Sequence, residues 1–99
     1  MEGPEETPDA ELVLPDGSHV AIGDGPVTLG RLPECDVVLN DPNVSRRHAE
    51  FRRTADGVVV TDLGSTNGTR VNGVPVREQQ LVSGDEITVG STTLVFELS

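Results

Sequence analysis

Residues 86–98 read Glu86-Ile87-Thr88-Val89-Gly90-Ser91-Thr92-Thr93-Leu94-Val95-Phe96-Glu97-Leu98. In Glu86–Val89, and again in Leu94–Leu98, every second side chain is apolar. That is the period of a strand with one face on a core and the other in water. Ala49-Glu50-Phe51-Arg52 alternates in the same way. Working outward, β-branched runs recur at Glu11–Leu14, His19–Ile22, Val27–Leu29, Val37–Leu39, Ala49–Arg53 and Val58–Asp62. Turn dipeptides separate them: Asp16-Gly17, Asp24-Gly25, Asp56-Gly57, Asn67-Gly68, Asn72-Gly73 and Ser83-Gly84. No window of helical length carries an apolar stripe at 3.6-residue spacing. Many short strands between regular turns predict an all-β fold, a sandwich or a barrel.

The chain has 99 residues, enough for one domain and one core. Phe51 and Phe96 are its only aromatics, so Val and Leu must supply most of the buried surface. The formal net charge is -10, which argues against a nucleic-acid or anionic-membrane binder, since either needs a basic face. A lone cysteine, Cys35, excludes an internal disulfide and a cysteine-based zinc cluster; no metal site and no cofactor is expected. Apolar runs fall far short of the ~20 residues of a membrane span. The acidic N-terminus does not read as a signal peptide, and a cytoplasmic monomer is expected. Glu2, Glu5, Glu6, Asp9 and Glu11 open the chain with no intervening base. Residues 1–10 therefore read as a mobile acidic tail, and residues 11–99 as the folded domain.

Positive charge is concentrated. Residues 31–53 hold Arg31, Arg46, Arg47, Arg52 and Arg53 and sum to about +1, against about -11 for the remainder. Arg52 and Arg53 read as the solvent face of a strand. Arg31, Arg46 and Arg47 fall in or beside loops, where arginines on a rigid β scaffold can form an anion site. Three segments supply its walls. Gly30-Arg31 ends a strand, with Gly30 permitting a tight bend. Ser45-Arg46-Arg47-His48 leads into another. Gly64-Ser65-Thr66-Asn67-Gly68-Thr69 offers hydroxyls, an amide and accessible backbone N–H groups. Cationic forks, hydroxyl donors and an amide are what a phosphate dianion requires.

In this order, these blocks resemble the forkhead-associated (FHA) domain, a phosphothreonine-binding module. The match runs through Gly30-Arg31, Ser45-x-x-His48, Asp62-x-Gly64-Ser65-Thr66-Asn67-Gly68-Thr69 and Val71-Asn72-Gly73, and continues into Leu81-x-x-Gly84-Asp85-x-Ile87-x-Val89-Gly90. The resemblance implies a sandwich of about eleven strands in two sheets, with the ligand-binding loops at one end. It implies that Arg31 pairs with the phosphate, and that the Ser45 hydroxyl and the Arg46 N–H bond it directly. Arg46 or Arg47 adds positive potential, Thr66 lines the pocket, and Asn67 holds the ligand's main chain. Gly30, His48, Gly68 and Asn72 become structural supports. The implied partner is a phosphothreonine-containing protein in Ser/Thr kinase signalling, either a kinase or its substrate.

Rival readings bear on the same residues. Ser45 and His48 invite a small hydrolase, but no third member is evident, and a histidine bracing the loop is the simpler account. A sandwich face or edge strand could instead bind partners independently of phosphorylation. Asn67-Gly68 and Asn72-Gly73 both fit hairpin turns, a reading preferred for the second; Asn67 keeps both roles. His19 and Cys35 lack metal-ligand spacing and read as surface or packing residues. Thr7, in Glu5-Glu6-Thr7-Pro8-Asp9, could be phosphorylated and fold back onto the domain's own site, as tail phosphothreonines do in some relatives of the resembled family. An inert solubilising tail is the plainer reading.

Overall fold

A computed structural model of the chain describes residues 10–98. They form eleven strands: β1 (Ala10–Val13), β2 (His19–Ile22), β3 (Val27–Gly30), β4 (Val37–Val38), β5 (Ala49–Thr54), β6 (Gly57–Asp62), β7 (Thr69–Val71), β8 (Val74–Val76), β9 (Glu78–Leu81), β10 (Glu86–Val89) and β11 (Thr92–Leu98). One sheet has six strands in the order β2-β1-β11-β10-β7-β8, and the other five in the order β4-β3-β5-β6-β9. All neighbouring pairs are antiparallel except β3 with β4.

Alternation sets which side chains meet between the sheets. Leu12, Ile87, Leu94 and Phe96 face inward from the first; Leu29, Ala49, Phe51 and Val60 face inward from the second. All eight are fully buried. Each phenylalanine lies on an interior strand of its own sheet, so the two largest apolar side chains reinforce both layers of a Val- and Leu-rich core.

Several local expectations need adjustment. Ala10, assigned on sequence to the acidic tail, is the first residue of β1: it is buried and pairs with Leu98 and Ile22. A small apolar residue at the head of an alternating run carries almost no signal of its own. The residue pattern does not reveal β7, β8 and β9, which are short and, in β8 and β9, largely exposed. The expected strand Val37–Leu39 shortens to Val37–Val38, although the Leu39 N–H still donates to the Gly30 carbonyl of β3 at 2.9 Å. Arg53 is not simply on the solvent face. Its Nη2 donates to the Ile22 carbonyl at 2.9 Å, tying β5 of one sheet to β2 of the other.

Asn72-Gly73 makes the expected hairpin, joining β7 to β8 with φ of +51° and +84°, the paired left-handed conformation of a type I′ turn. Asn72 also clamps the start of β10. Its Nδ2 donates to Asp85 Oδ1 at 2.9 Å, and its Oδ1 accepts from the Glu86 N–H at 3.0 Å. Asn67-Gly68 is not a hairpin. It lies in the connection that carries the chain from β6 in one sheet to β7 in the other, strands that do not pair. Thr7 lies outside the described residues. β1 begins beside Leu98, and Leu98 stands about 20 Å along β11 from Thr92, at the loop-bearing end of the sandwich.

Candidate functional site

Three connections converge at one end of the sandwich: residues 31–36 after β3, 39–48 after β4 and 63–68 after β6. They enclose a cleft of ≈ 450 Å³ lined by Arg31, Pro42, Asn43, Val44, Ser45, Arg46, Arg47, Gly64, Thr66 and Asn67. All six residues expected to contact the ligand line it, and no carboxylate side chain among the described residues does.

Close packing of the first two loops builds the cationic wall. An ideal Cβ on Gly30 would lie 2.0 Å from the Arg46 carbonyl oxygen and 3.0 Å from the Arg47 Cα. Glycine is required here for space, not for an unusual φ. The approach lets Arg31 donate its N–H to the Ser45 carbonyl and Leu32 to the Arg46 carbonyl, at 3.2 and 3.3 Å. The Arg31 side chain is then oriented by one further bond, from Nε to the Val44 carbonyl at 2.6 Å. That bond consumes the inner donor of the guanidinium and leaves the terminal nitrogens for the cleft. Cys35, buried as a packing residue, places its Sγ 3.5 Å from the Arg46 carbonyl.

The third loop is tied to the second through Ser45 and Asn67. The Thr66 N–H donates to Ser45 Oγ at 3.0 Å, so the Ser45 hydroxyl accepts from the protein and keeps its own proton for a ligand oxygen. Asn67 Nδ2 donates to the Asn43 carbonyl at 2.7 Å. One N–H of that amide is thereby spent on the scaffold, and Oδ1 with the second N–H remains for a ligand main chain.

His48 is fully buried beneath the cleft. Its Nδ1 accepts from the Ser45 N–H at 3.0 Å, so Nε2 carries the proton and donates to the Gly68 carbonyl at 2.7 Å. Its backbone N–H bonds the Leu29 carbonyl, and its carbonyl accepts from Leu63. One imidazole thus joins the loop after β4 to the loop after β6 by way of Gly68. In this geometry the ring bonds the backbone nitrogen of Ser45 and not its hydroxyl, so His48 is not placed as a general base for that hydroxyl.

Sequence reasoning gave no role to two carboxylates that hold these loops. Asp62 Oδ2 accepts from the N–H groups of Gly64 and Ser65, each at 3.0 Å; Oδ1 accepts from the Ser65 and Thr69 hydroxyls at 2.6 and 2.7 Å. Ser65 Oγ in turn accepts from the Gly68 N–H. Burial pushes the Asp62 carboxyl up, but the Ser65 and Thr69 hydroxyls and the two N–H donors outweigh it and hold the group below its ordinary value. The signal was present in Asp62-x-Gly64-Ser65, a spacing at which an Asp side chain bonds backbone two and three residues on. Asp41 joins the loop after β4 to the β10–β11 turn, accepting from Asn43 N–H at 2.9 Å and from Ser91 N–H and the Thr92 hydroxyl at 2.8 Å. The Asn43 N–H first, then the Thr92 hydroxyl, hold it below the ordinary value. No local pattern announces a partner fifty residues away.

Asp62→Ala strips four donors of their acceptor, one of them the hydroxyl of Thr69, a residue that is 1% exposed. The expected loss of stability is about 2 kcal/mol, read from the midpoint of urea unfolding. An unchanged midpoint would show that solvent replaces the carboxylate.

The FHA domain family model matches residues 27–90, close to two thirds of the chain and every wall of this cleft. The chain belongs to the FHA domain family. Over 80 residues it is 48% identical to an oxoglutarate dehydrogenase inhibitor of Corynebacterium jeikeium (81% of this chain, 56% of the relative). It is 45% identical over 80 residues to the glycogen accumulation regulator GarA of Mycolicibacterium smegmatis (81% of this chain, 51% of the relative). The chain therefore spans about half the length of these curated relatives. A solved FHA domain studied for phosphothreonine-dependent interactions superposes with a TM-score of 0.87 at 36% identity, covering 92% of this chain and 97% of its own. This FHA domain thus carries its family's sandwich of eleven strands in two sheets, with the three loops that line the cleft at one end.

Proposed function

We propose that this FHA domain is a phosphothreonine-dependent binding module that recruits a phosphorylated protein and performs no chemistry on it. The observation carrying this reading is the cleft itself: three arginines, a serine hydroxyl with a free proton and an amide side chain meet with no carboxylate of the described residues among them. Arg31 offers its terminal nitrogens to two phosphate oxygens. Ser45 Oγ donates to a third, and the Arg46 N–H, which has no partner among the described residues, joins it. Asn67 then reads the ligand's main chain. The relatives' names, an inhibitor of an enzyme and a metabolic regulator, fit a module that acts by docking. The partner is a Ser/Thr kinase or a kinase substrate, and the setting is a monomer in the cytoplasm. Neither nucleic acid nor a membrane surface is a target, given a net charge of -10.

The test is a calorimetric titration with one peptide in phosphothreonine, phosphoserine and unmodified forms. The phosphothreonine form should bind with a micromolar dissociation constant, about -8 kcal/mol. Phosphoserine should bind about fivefold more weakly, the worth of one buried methyl, and the unmodified peptide not measurably. Equal binding of modified and bare peptide would sink the reading in favour of a phosphorylation-independent surface.

Acid should weaken binding before it weakens the fold. The second phosphate ionisation lies near 6, so affinity should fall between about pH 7 and 5 as the ligand loses its second charge. Asp41 and Asp62 titrate below the ordinary carboxylate value of 3.8 in the folded chain. The stability they contribute is therefore complete above that value, and is lost only as pH falls through their lower folded values. A melting temperature that tracked affinity between pH 7 and 5 would contradict this separation.

A further inference from the structure

The phosphate does not use all the positive charge that the cleft presents. Arg31, Arg46 and Arg47 all line it, and none has a carboxylate partner among the described residues. Together they carry three positive charges, whereas a phosphothreonine brings between about -1.5 and -2. Donors tell the same story. The terminal nitrogens of Arg31, the Ser45 hydroxyl, the Arg46 N–H and the Thr66 hydroxyl suffice for three phosphate oxygens. The Arg46 guanidinium, on the residue next to Ser45 whose own N–H holds the phosphate, adds positive potential there, which leaves the Arg47 guanidinium without an assignment, exposed and on the same wall. Its backbone is fixed: the Arg47 Cα lies against Gly30, and the preceding carbonyl is held by Leu32 N–H and Cys35 Sγ. A long cationic side chain on an anchored stem, beside a site that already neutralises its anion, is placed to read a second one.

We propose that Arg47 is a specificity-determining residue that selects phosphothreonine ligands carrying a second anionic group within two residues of the phosphate. This rests on the phosphothreonine reading above and adds to it the charge of the ligand. The second group is a carboxylate or another phosphate; both present oxygens that a guanidinium can hold. The preference is confined to that neighbourhood. Outside residues 31–53 the chain carries thirteen acidic residues and only Arg70 and Arg77, so negative charge farther along the ligand meets repulsion.

The experiment uses a peptide with one central phosphothreonine and glutamines at the three positions on each side, titrated against wild type and Arg47→Gln. Each glutamine is replaced in turn by glutamate, and one further peptide carries a second phosphothreonine at the best position. In wild type, glutamate within two residues should tighten binding about fivefold, the upper range for an exposed charge pair, while glutamate at the outermost positions should not. Arg47→Gln should weaken every peptide somewhat and reduce the glutamate preference to less than twofold. The diphosphorylated peptide distinguishes the two sources of charge: a gain larger than that of glutamate assigns a second phosphate, and an equal or smaller gain assigns a carboxylate. The proposal is overturned if glutamate brings no gain at the inner positions, or if the gain survives in Arg47→Gln. Failure of the all-glutamine phosphopeptide to bind wild type at all would overturn the underlying reading as well. Arg47 is exposed, so the variant should melt with wild type, and matching melting curves establish that the change is one of recognition.

Discussion

Arg31→Ala should lower affinity for a phosphothreonine peptide by at least about a hundredfold, the effect of losing two charge-assisted hydrogen bonds of about 1.5 kcal/mol each. The side chain is exposed, and its one bond among the described residues is from Nε to the Val44 carbonyl, so truncation should barely alter the fold. Arg31→Lys separates charge from geometry. Lysine restores a cation but neither the planar fork nor the Nε bond that aims it, so recovery should be partial, leaving about a tenfold deficit. Calorimetry on the three proteins, with thermal unfolding alongside, reads both effects. A dissociation constant for Arg31→Ala within threefold of wild type would place the phosphate elsewhere in the cleft. In that case Arg46 and Arg47 would be the residues to truncate next.

How much of this could be read from the chain depends on where each partner lies. Leu94–Leu98 and Ala49–Arg52 disclose their strands because alternation is local, and both lie on interior strands whose inward side chains must be apolar. β8 and β9 each lie at one edge of their sheets, and most of their side chains face water. Nothing therefore forces an apolar period on them, and Pro75 in the middle of β8 speaks against a strand at all, although an edge tolerates it. The site divides along similar lines. That loop arginines stand out against an acidic background is visible in charge alone. That Ser45, Thr66 and Asn67 stand opposite them came from resemblance, and the bond from Thr66 N–H to Ser45 Oγ shows why the two loops act as one. The role of His48 was legible as a brace, but not its target, the Gly68 carbonyl. Asp41 has one local bond, from the Asn43 N–H, but its work for Ser91 and Thr92 remained hidden because no spacing rule connects them to it.

Gly30→Ala should be the most damaging single methyl in the domain. The added carbon would sit 2.0 Å from the Arg46 carbonyl oxygen and 2.8 Å from its carbon, both backbone atoms that no rotamer change can move aside. Either β3 or the loop after β4 must shift. Either shift strains the bonds from Arg31 and Leu32 to the carbonyls of Ser45 and Arg46, and carries the Ser45 hydroxyl away from Arg31. Forced overpacking of this kind costs about 3 kcal/mol or more, which for a domain of this size lowers the melting temperature by roughly 15 °C. Phosphopeptide affinity should fall with it even where the protein remains folded, because the cleft depends on that contact. Gly25→Ala is the control: nothing lies within 4 Å of its Cβ position, and it should melt and bind as wild type does. If Gly30→Ala matched that control in both measurements, the close approach of the two loops would be wrong. The arrangement of Arg31 against Ser45 and Arg46 would be wrong with it, since one glycine sets the distance between the cation and the hydroxyl proposed to share the phosphate.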